Sequence, residues 1–497
     1  MTSSSISPKP LKTMRDLLSD PAWKAEDLGL PLPLDPHAVS VSLPLWEHVV
    51  GYEENDPHVI ERLQCGYPRF FVHPLVRQLT AKAERELAAP GETAWLFASR
   101  KAAQRAATFA GLPSQLCSWQ NGLEVMLTPN AEKGKLAWRF FGDGISSRRA
   151  EAALQGQLPN AETARSATLQ IKNDLARRSG QHPEDVFLFP SGMAAMSTAH
   201  RLVRALRPGR PSVQIDFPYV DVLKVQQSCD SGVQMLESPE APELEALDLR
   251  SICGVFTEIV SNPRLRTPPL ARIASLCALH GVPLVADDTL ATVANVDVYP
   301  YADIVTTSLT KTYSGFGNVL AGSLILRRSS PLYNAFRTAI EEDYADDFFG
   351  EDAIVLARNA LDFDARIQRI NETSAAVYQF LREHPKVEVA WYPMGSSREC
   401  YDAIRRSNGG YGGLLTFHVI HAERNASVLY DQLRICKGPS LGTNFSLACP
   451  YMLLAHYNEL VWTDRLGINR NLLRLSVGLE PPGDLMERLD QALQFCT

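Results

Sequence analysis

Lys311 lies in the stretch Ser308-Leu309-Thr310-Lys311-Thr312-Tyr313-Ser314-Gly315, and the pair Asp287-Asp288 precedes Thr289 a short way upstream. A lysine amine and a carboxylate placed in this way suit pyridoxal phosphate chemistry. The amine forms a Schiff base with the cofactor, and the carboxylate keeps the pyridine nitrogen protonated so that the ring can take up electrons from a substrate carbanion. Lys311 and Asp287 are the candidates for these two roles. Ser308 and Thr310 are two residues apart, so on an extended segment their hydroxyls point to one side and can bind a phosphate oxygen.

An isolated lysine after such a motif is usually a solvated loop residue; the elements around this one argue otherwise. Val282 to Ala286 and Asp303 to Thr307 are short, β-rich apolar runs that read as buried parallel strands, so Asp287 and Lys311 lie just beyond strand ends. Open α/β sheets bind ligands at that edge. From about Leu136 to Leu326 strands and helices alternate, which indicates a parallel sheet covered by helices. Within it, Phe189-Pro190-Ser191-Gly192-Met193-Ala194-Ala195 joins a strand (Asp185 to Phe189) to a helix (Met193 to Ala205). The free N–H groups of that helix start suit the cofactor phosphate. Taken alone, the turn is equally an ordinary one with Ser191 as N-cap. An echo at Leu96 to Ala103 lacks the glycine and is assigned no chemistry.

Up to about residue 134 the chain is punctuated by prolines and predicts a helix at Pro74 to Leu87. Glu351 to Arg382 is a long amphipathic run without glycine or proline, predicting one connecting helix or two in succession. Beyond it, strands at Leu414 to Val419 and Leu472 to Val477 and a terminal helix at Gly483 to Phe495 fit a smaller α+β domain. The expected division is an N-terminal extension (1–134), a large cofactor-binding domain (135–365) and a small C-terminal domain (366–497).

With 497 residues and a formal charge of −7, the chain has ample core for an enzyme and no basic bias toward nucleic acid. No apolar run reaches membrane-spanning length, and Met1 to Lys12 lacks the hydrophobic stretch of a secretory signal, so a cytoplasmic protein is expected. The nine cysteines are scattered without ligand spacing, which predicts free thiols and no metal.

In order and spacing, several stretches resemble the Cys/Met-metabolism enzymes of pyridoxal phosphate fold type I, in particular the fungal cystathionine γ-synthases. They are Ser191 to Ala195, Phe217-Pro218-Tyr219, Ser261-Asn262-Pro263, Asp287 to Thr289, Ser308 to Lys311, Ser440-Leu441-Gly442 and Arg474 to Glu480. His37 to Pro44, Gly66 to Phe71 and Gly144 to Glu151 are similar to the fungal branch.

The resemblance implies that Gly192 and Met193 offer amides, and Ser308 and Thr310 hydroxyls, to the phosphate, and that Tyr219 stacks on the ring. It also implies that Asn262 meets the cofactor's phenolic oxygen and that Arg474 with Ser440 holds the substrate α-carboxylate. Relatives carry Tyr-Ser-Arg-Arg in a stretch that enters the neighbouring subunit's site. The most similar place here is Ser146-Ser147-Arg148-Arg149, where Arg148 takes the phosphate, Arg149 faces the substrate, and no phenol stands at Ser146. Tyr67-Pro68-Arg69 has the same Tyr-x-Arg spacing and is the second candidate. A homodimer or homotetramer with shared sites is implied.

The implied reaction is γ-replacement on an O-acyl-L-homoserine, with O-acetyl-L-homoserine expected, through a vinylglycine-type intermediate. The acceptor is a cysteine thiol, giving cystathionine, or a carbon nucleophile such as a β-keto acid; Trp138 to Asp143 hints at an altered acceptor. The alternatives are a β- or γ-lyase of sulfur amino acids and a catalytically silent scaffold paralogue.

Overall fold

The computed structural model describes residues 15–111 and 113–497; Met1 to Lys12, read above for targeting, lies outside them. The alternating region builds a seven-stranded sheet. In spatial order its strands are Val186–Phe189, Gly322–Leu326, Ile304–Thr307, Leu284–Asp287, Val255–Glu258, Ser212–Ile215 and Val233–Leu236. Gly322–Leu326 is antiparallel to both neighbours, and the other adjacent pairs are parallel. The central strands are buried on both faces, which is why they read as unbroken apolar runs instead of alternating ones. Helices such as Gly192–Leu206 and Leu270–Leu279 cover the faces.

The amphipathic run predicted at Glu351 to Arg382 resolves into two helices, Gly350–Asn359 and Phe363–Glu383. Arg366 in the second is buried and sends its NH1 to the Thr312 carbonyl (2.9 Å) and its NH2 to the Tyr313 carbonyl (3.0 Å), which pins the loop after Lys311. The C-terminal part forms a five-stranded sheet in the order Val387–Trp391, Leu414–Val419, Leu473–Ser476, Leu447–Pro450, Cys436–Lys437.

Two features of the N-terminal third were not foreseen. Thr93–Phe97, Leu123–Thr128 and Gln115–Trp119 form a separate antiparallel sheet, and Trp46–Glu54 is a helix. The stretch that precedes that helix is bound to the C-terminal sheet. Leu43 N–H donates to the Lys437 carbonyl (2.9 Å), and the fully buried Lys437 ammonium returns to the Pro44 carbonyl (2.8 Å). No helix among the described residues is long and apolar enough to cross a membrane.

Candidate active site

A cavity of about 1160 Å³, including its mouth, opens at the carboxyl edge of the seven-stranded sheet, where sequence reasoning placed the chemistry. Asp287 ends its strand beside Glu258, the last residue of the neighbouring parallel strand, and both line the cavity. Asp287 accepts from Thr289 N–H (2.9 Å) and from the Thr306 hydroxyl (3.0 Å), yet burial away from any cation pushes its pKa up. Asp288 lies off the cavity against the Thr307 hydroxyl, so the cavity distinguishes the two adjacent acids.

Lys311 is 9 % exposed, and its Nζ donates to Ser440 Oγ at 3.2 Å. The same Nζ sits 4.2 Å from the centroid of the Tyr67 ring. Burial lowers its pKa; Tyr67 opposes that shift, and Arg474 and Arg69 reinforce it. Arg474 leaves the middle of its strand to donate through NH2 to the Pro439 and Ser440 carbonyls, each at 3.2 Å, with its guanidinium 4.4 Å from the Tyr451 ring centroid. Amine and guanidinium thus converge on one residue, Ser440.

At the other end, Ser191 Oγ accepts the Ala194 N–H (3.1 Å), leaving the Gly192 and Met193 N–H groups at the start of the helix without helical partners. A Cβ on Gly192 would stand 2.6 Å from Ser308 Cβ and 2.8 Å from its hydroxyl, so only glycine lets the two segments close around an anion. Gly192→Ala is expected to raise the dissociation constant for pyridoxal phosphate at least about tenfold, which equilibrium dialysis of the apoprotein would measure. The echo at Ser99 is built alike, its hydroxyl accepting Ala102 N–H at 3.2 Å, but no cavity residue comes from that turn.

One expectation needs correcting. Thr310 lines the cavity, but its hydroxyl is already bonded to Ala321, accepting from N–H (2.9 Å) and donating to C=O (3.2 Å), whereas Ser308 Oγ has no partner among the described residues. Arg148 and Arg149, expected to enter the neighbouring subunit's site, do not line the cavity of their own chain. The first pairs with buried Asp352 (3.2 Å) and the Asn318 carbonyl (2.7 Å); the second stacks on Phe349. Both stand at the start of the helix Ser147–Gln155, which Ser146 caps. Tyr67 and Arg69 line the cavity instead, from the same chain as Lys311.

Sequence reasoning missed Glu258, which accepts the Tyr219 N–H at 2.7 Å and so fixes that ring's backbone. Its position at a strand's carboxyl end was the available signal. Tyr451, whose hydroxyl accepts from Asn262 Nδ2 at 3.0 Å, carried no signal.

Among the described residues, three buried polar atoms at the cavity lack a protein partner: Tyr219 Oη, Asn262 Oδ1 and Arg69 Nε. Buried polar atoms are normally paired, so a polar ligand is called for. Unpaired amides at Gly192 and Met193, an aromatic face at Tyr219 and an isolated carboxylate at Asp287 fit a flat, anionic molecule with a basic ring nitrogen. Residues 179–494 match the family model described as "Cys/Met metabolism PLP-dependent enzyme".

This chain belongs to that family.

The Cys/Met-metabolism membership extends over nearly the whole length. The chain is 32% identical to a cystathionine gamma-synthase of Neurospora crassa, over 94% of this chain and 98% of the relative. It is 35% identical to the cystathionine gamma-synthase-like protein ankD of Aspergillus thermomutatus, over 96% of each. Among solved structures it is similar to CalE6 of Micromonospora echinospora, described as a cystathione gamma lyase, with 27% identity and a TM-score of 0.55 over 62% of this chain and 82% of that one. The protein is therefore a pyridoxal phosphate-dependent, cystathionine gamma-synthase-like enzyme of fold type I.

Proposed function

We propose that the enzyme carries out γ-replacement on an O-acyl-L-homoserine, expelling the carboxylate from Cγ and joining a thiol or carbon nucleophile there. The observation that carries this reading is the convergence on Ser440: the Lys311 amine on its hydroxyl and the Arg474 guanidinium on its carbonyl. An α-carboxylate held by Arg474 sets the substrate's Cα and Cβ within reach of one movable base. Bound pyridoxal phosphate supplies the electron sink that makes those protons acidic. Lys311, its pKa lowered by burial, takes and returns them. Asp287 provides the charge that holds a protonated ring nitrogen, Tyr219 covers the ring, and Asn262 turns its unpaired amide edge to the cofactor. The Gly192 and Met193 amides, Ser308 and Arg69 hold the phosphate. Homodimer or homotetramer assembly rests on the resemblance alone.

Assigning the phosphate to Arg69 and not Arg148 gives two different outcomes. Arg69→Ala weakens retention of pyridoxal phosphate at least about tenfold. Arg148→Ala leaves retention within about twofold, but removes the partner of buried Asp352 and lowers thermal stability by roughly 3 kcal/mol. Dialysis and melting curves of the two variants separate these effects.

The reaction itself is tested by mass spectrometry of products from O-acetyl-L-homoserine with L-cysteine and acetoacetate, singly and in competition. Cystathionine or a carbon-linked adduct supports γ-replacement. A keto acid alone, formed without either acceptor, replaces it with a lyase.

A further inference from the structure

One carboxyl in the cavity has no task in the reaction above. Glu53 stands in the last turn of the helix Trp46–Glu54 and lines the cavity beside Tyr52. That helix packs on the helix Tyr451–His456, whose Leu454 and Ala455 line the cavity as well, and Tyr457 Oη donates to neighbouring Glu54 at 2.5 Å. With Phe70 they form a largely apolar wall, joined to the α-carboxylate end through Tyr451 on the same helix.

Among the described residues Glu53 has no hydrogen-bond partner, and burial raises its pKa to about 7. The charged group acting on it is Arg139, which is already held by Asp221 (Nε to Oδ1, 2.9 Å) and laid over the Phe70 ring, 4.3 Å from its centroid. The other charges lining the cavity have partners or tasks. Arg69 is bound to Asp221, Glu258 holds the Tyr219 N–H, and Lys311, Asp287 and Arg474 serve the cofactor and the homoserine. An unpaired carboxyl in an apolar wall is costly to ionise unless a cation meets it, and no free cation on this wall awaits an incoming carboxylate.

We propose that Glu53 selects the acceptor by charge, taking the ammonium of an amine-bearing nucleophile and turning away acceptors whose only charge is a carboxylate. The assignment rests on the γ-replacement reading and names its second substrate class: a thiol or carbon nucleophile with an amine close to the reacting atom. Glu53 is a specificity residue and transfers no proton.

The test uses holoenzyme and O-acetyl-L-homoserine with three thiols: L-cysteine, cysteamine, which carries only the amine, and 3-mercaptopropionate, which carries only the carboxylate. The wild type is expected to prefer cysteamine to 3-mercaptopropionate at least about tenfold in kcat/KM. Glu53→Gln loses that preference through a raised KM for the amines, with turnover of 3-mercaptopropionate kept within about twofold, and Glu53→Arg reverses the order. Glu53→Asp, which keeps the charge, keeps the preference and supplies the comparison if the glutamine variant folds poorly. In a second readout that needs no acceptor turnover, calorimetric binding of cysteamine to the holoenzyme weakens in Glu53→Gln. An unaltered preference in Glu53→Gln, or a wild type that favours 3-mercaptopropionate or uses only acetoacetate, overturns the proposal while leaving γ-replacement standing. Keto acid release with every acceptor ignored overturns the γ-replacement reading beneath it.

Discussion

Lys311→Ala is expected to lower kcat by at least about 10³-fold, ~4 kcal/mol of transition-state stabilisation, while the protein stays folded. The Nζ donates to Ser440 Oγ at 3.2 Å, and the neutral hydroxyl left behind is a far weaker base than an amine. Two of the phenols lining the cavity do not replace it. Tyr219 is pushed well above the ordinary tyrosine range by burial, Tyr451 likewise, and neither yields a proton near neutrality. The loop keeps its shape because Arg366 grips the Thr312 and Tyr313 backbone, not the lysine side chain. Two measurements check this: turnover, and the mass of the chain after borohydride treatment, which gains the cofactor in the wild type and nothing in the variant. A variant that still performs γ-replacement would remove Lys311 from the role.

Asp287→Asn has the second largest effect, and it runs in opposite directions with and without cofactor. In the protein alone burial raises the Asp287 pKa above the ordinary aspartate range. Above that ordinary range the native state still holds a proton that the unfolded state has released, so stability falls as pH rises toward the raised pKa. The asparagine variant has no such penalty. Without cofactor, its melting temperature at pH 8 is expected to equal or exceed that of the wild type, with the gap closing toward pH 4. With cofactor the order reverses, because the ring nitrogen supplies the missing cation only to the carboxylate, and kcat of the variant falls about 10²- to 10³-fold. Melting curves at both pH values, with and without pyridoxal phosphate, test the sign. A variant stabilised by cofactor as much as the wild type would show that the nitrogen lies elsewhere.

What could be read from the sequence divides according to how local the signal is. The helix at Pro74–Leu87 has its proline at the first position and a clear apolar stripe, and its bounds agree with those expected. Strands Leu284–Asp287 and Ile304–Thr307 were visible as short β-branched runs, and with them the places of Asp287 and Ser308. The sheet of Thr93–Phe97, Leu123–Thr128 and Gln115–Trp119 was not, because Gln115–Trp119 is partly exposed and has no strong period. Tyr67 and Arg69 were legible only as a second candidate and Glu53 not at all, because a loop and a short helix reach the cavity by packing on distant segments. Arg69, for instance, is bound to Asp221, 152 positions along the chain. Arg148 sits in the more familiar-looking motif, yet within its own chain Asp352 engages it. Thr310 shows the limit of hydroxyl spacing as evidence, since a backbone group nearer than any ligand had already taken it.

The bond between Leu43 and Lys437 has a consequence for synthesis. While the chain is still emerging, Glu53, Tyr67 and Arg69 exist long before the strand Leu473–Ser476 that carries Arg474, and the segment ahead of them has no buried surface to lie on until Lys437 appears. Closing a loop of that length comes late in folding. A nascent or truncated chain that already contains Lys311 therefore lacks two walls of the cavity, Arg474 among them. The complete pocket exists only once the C-terminal sheet has been made and folded.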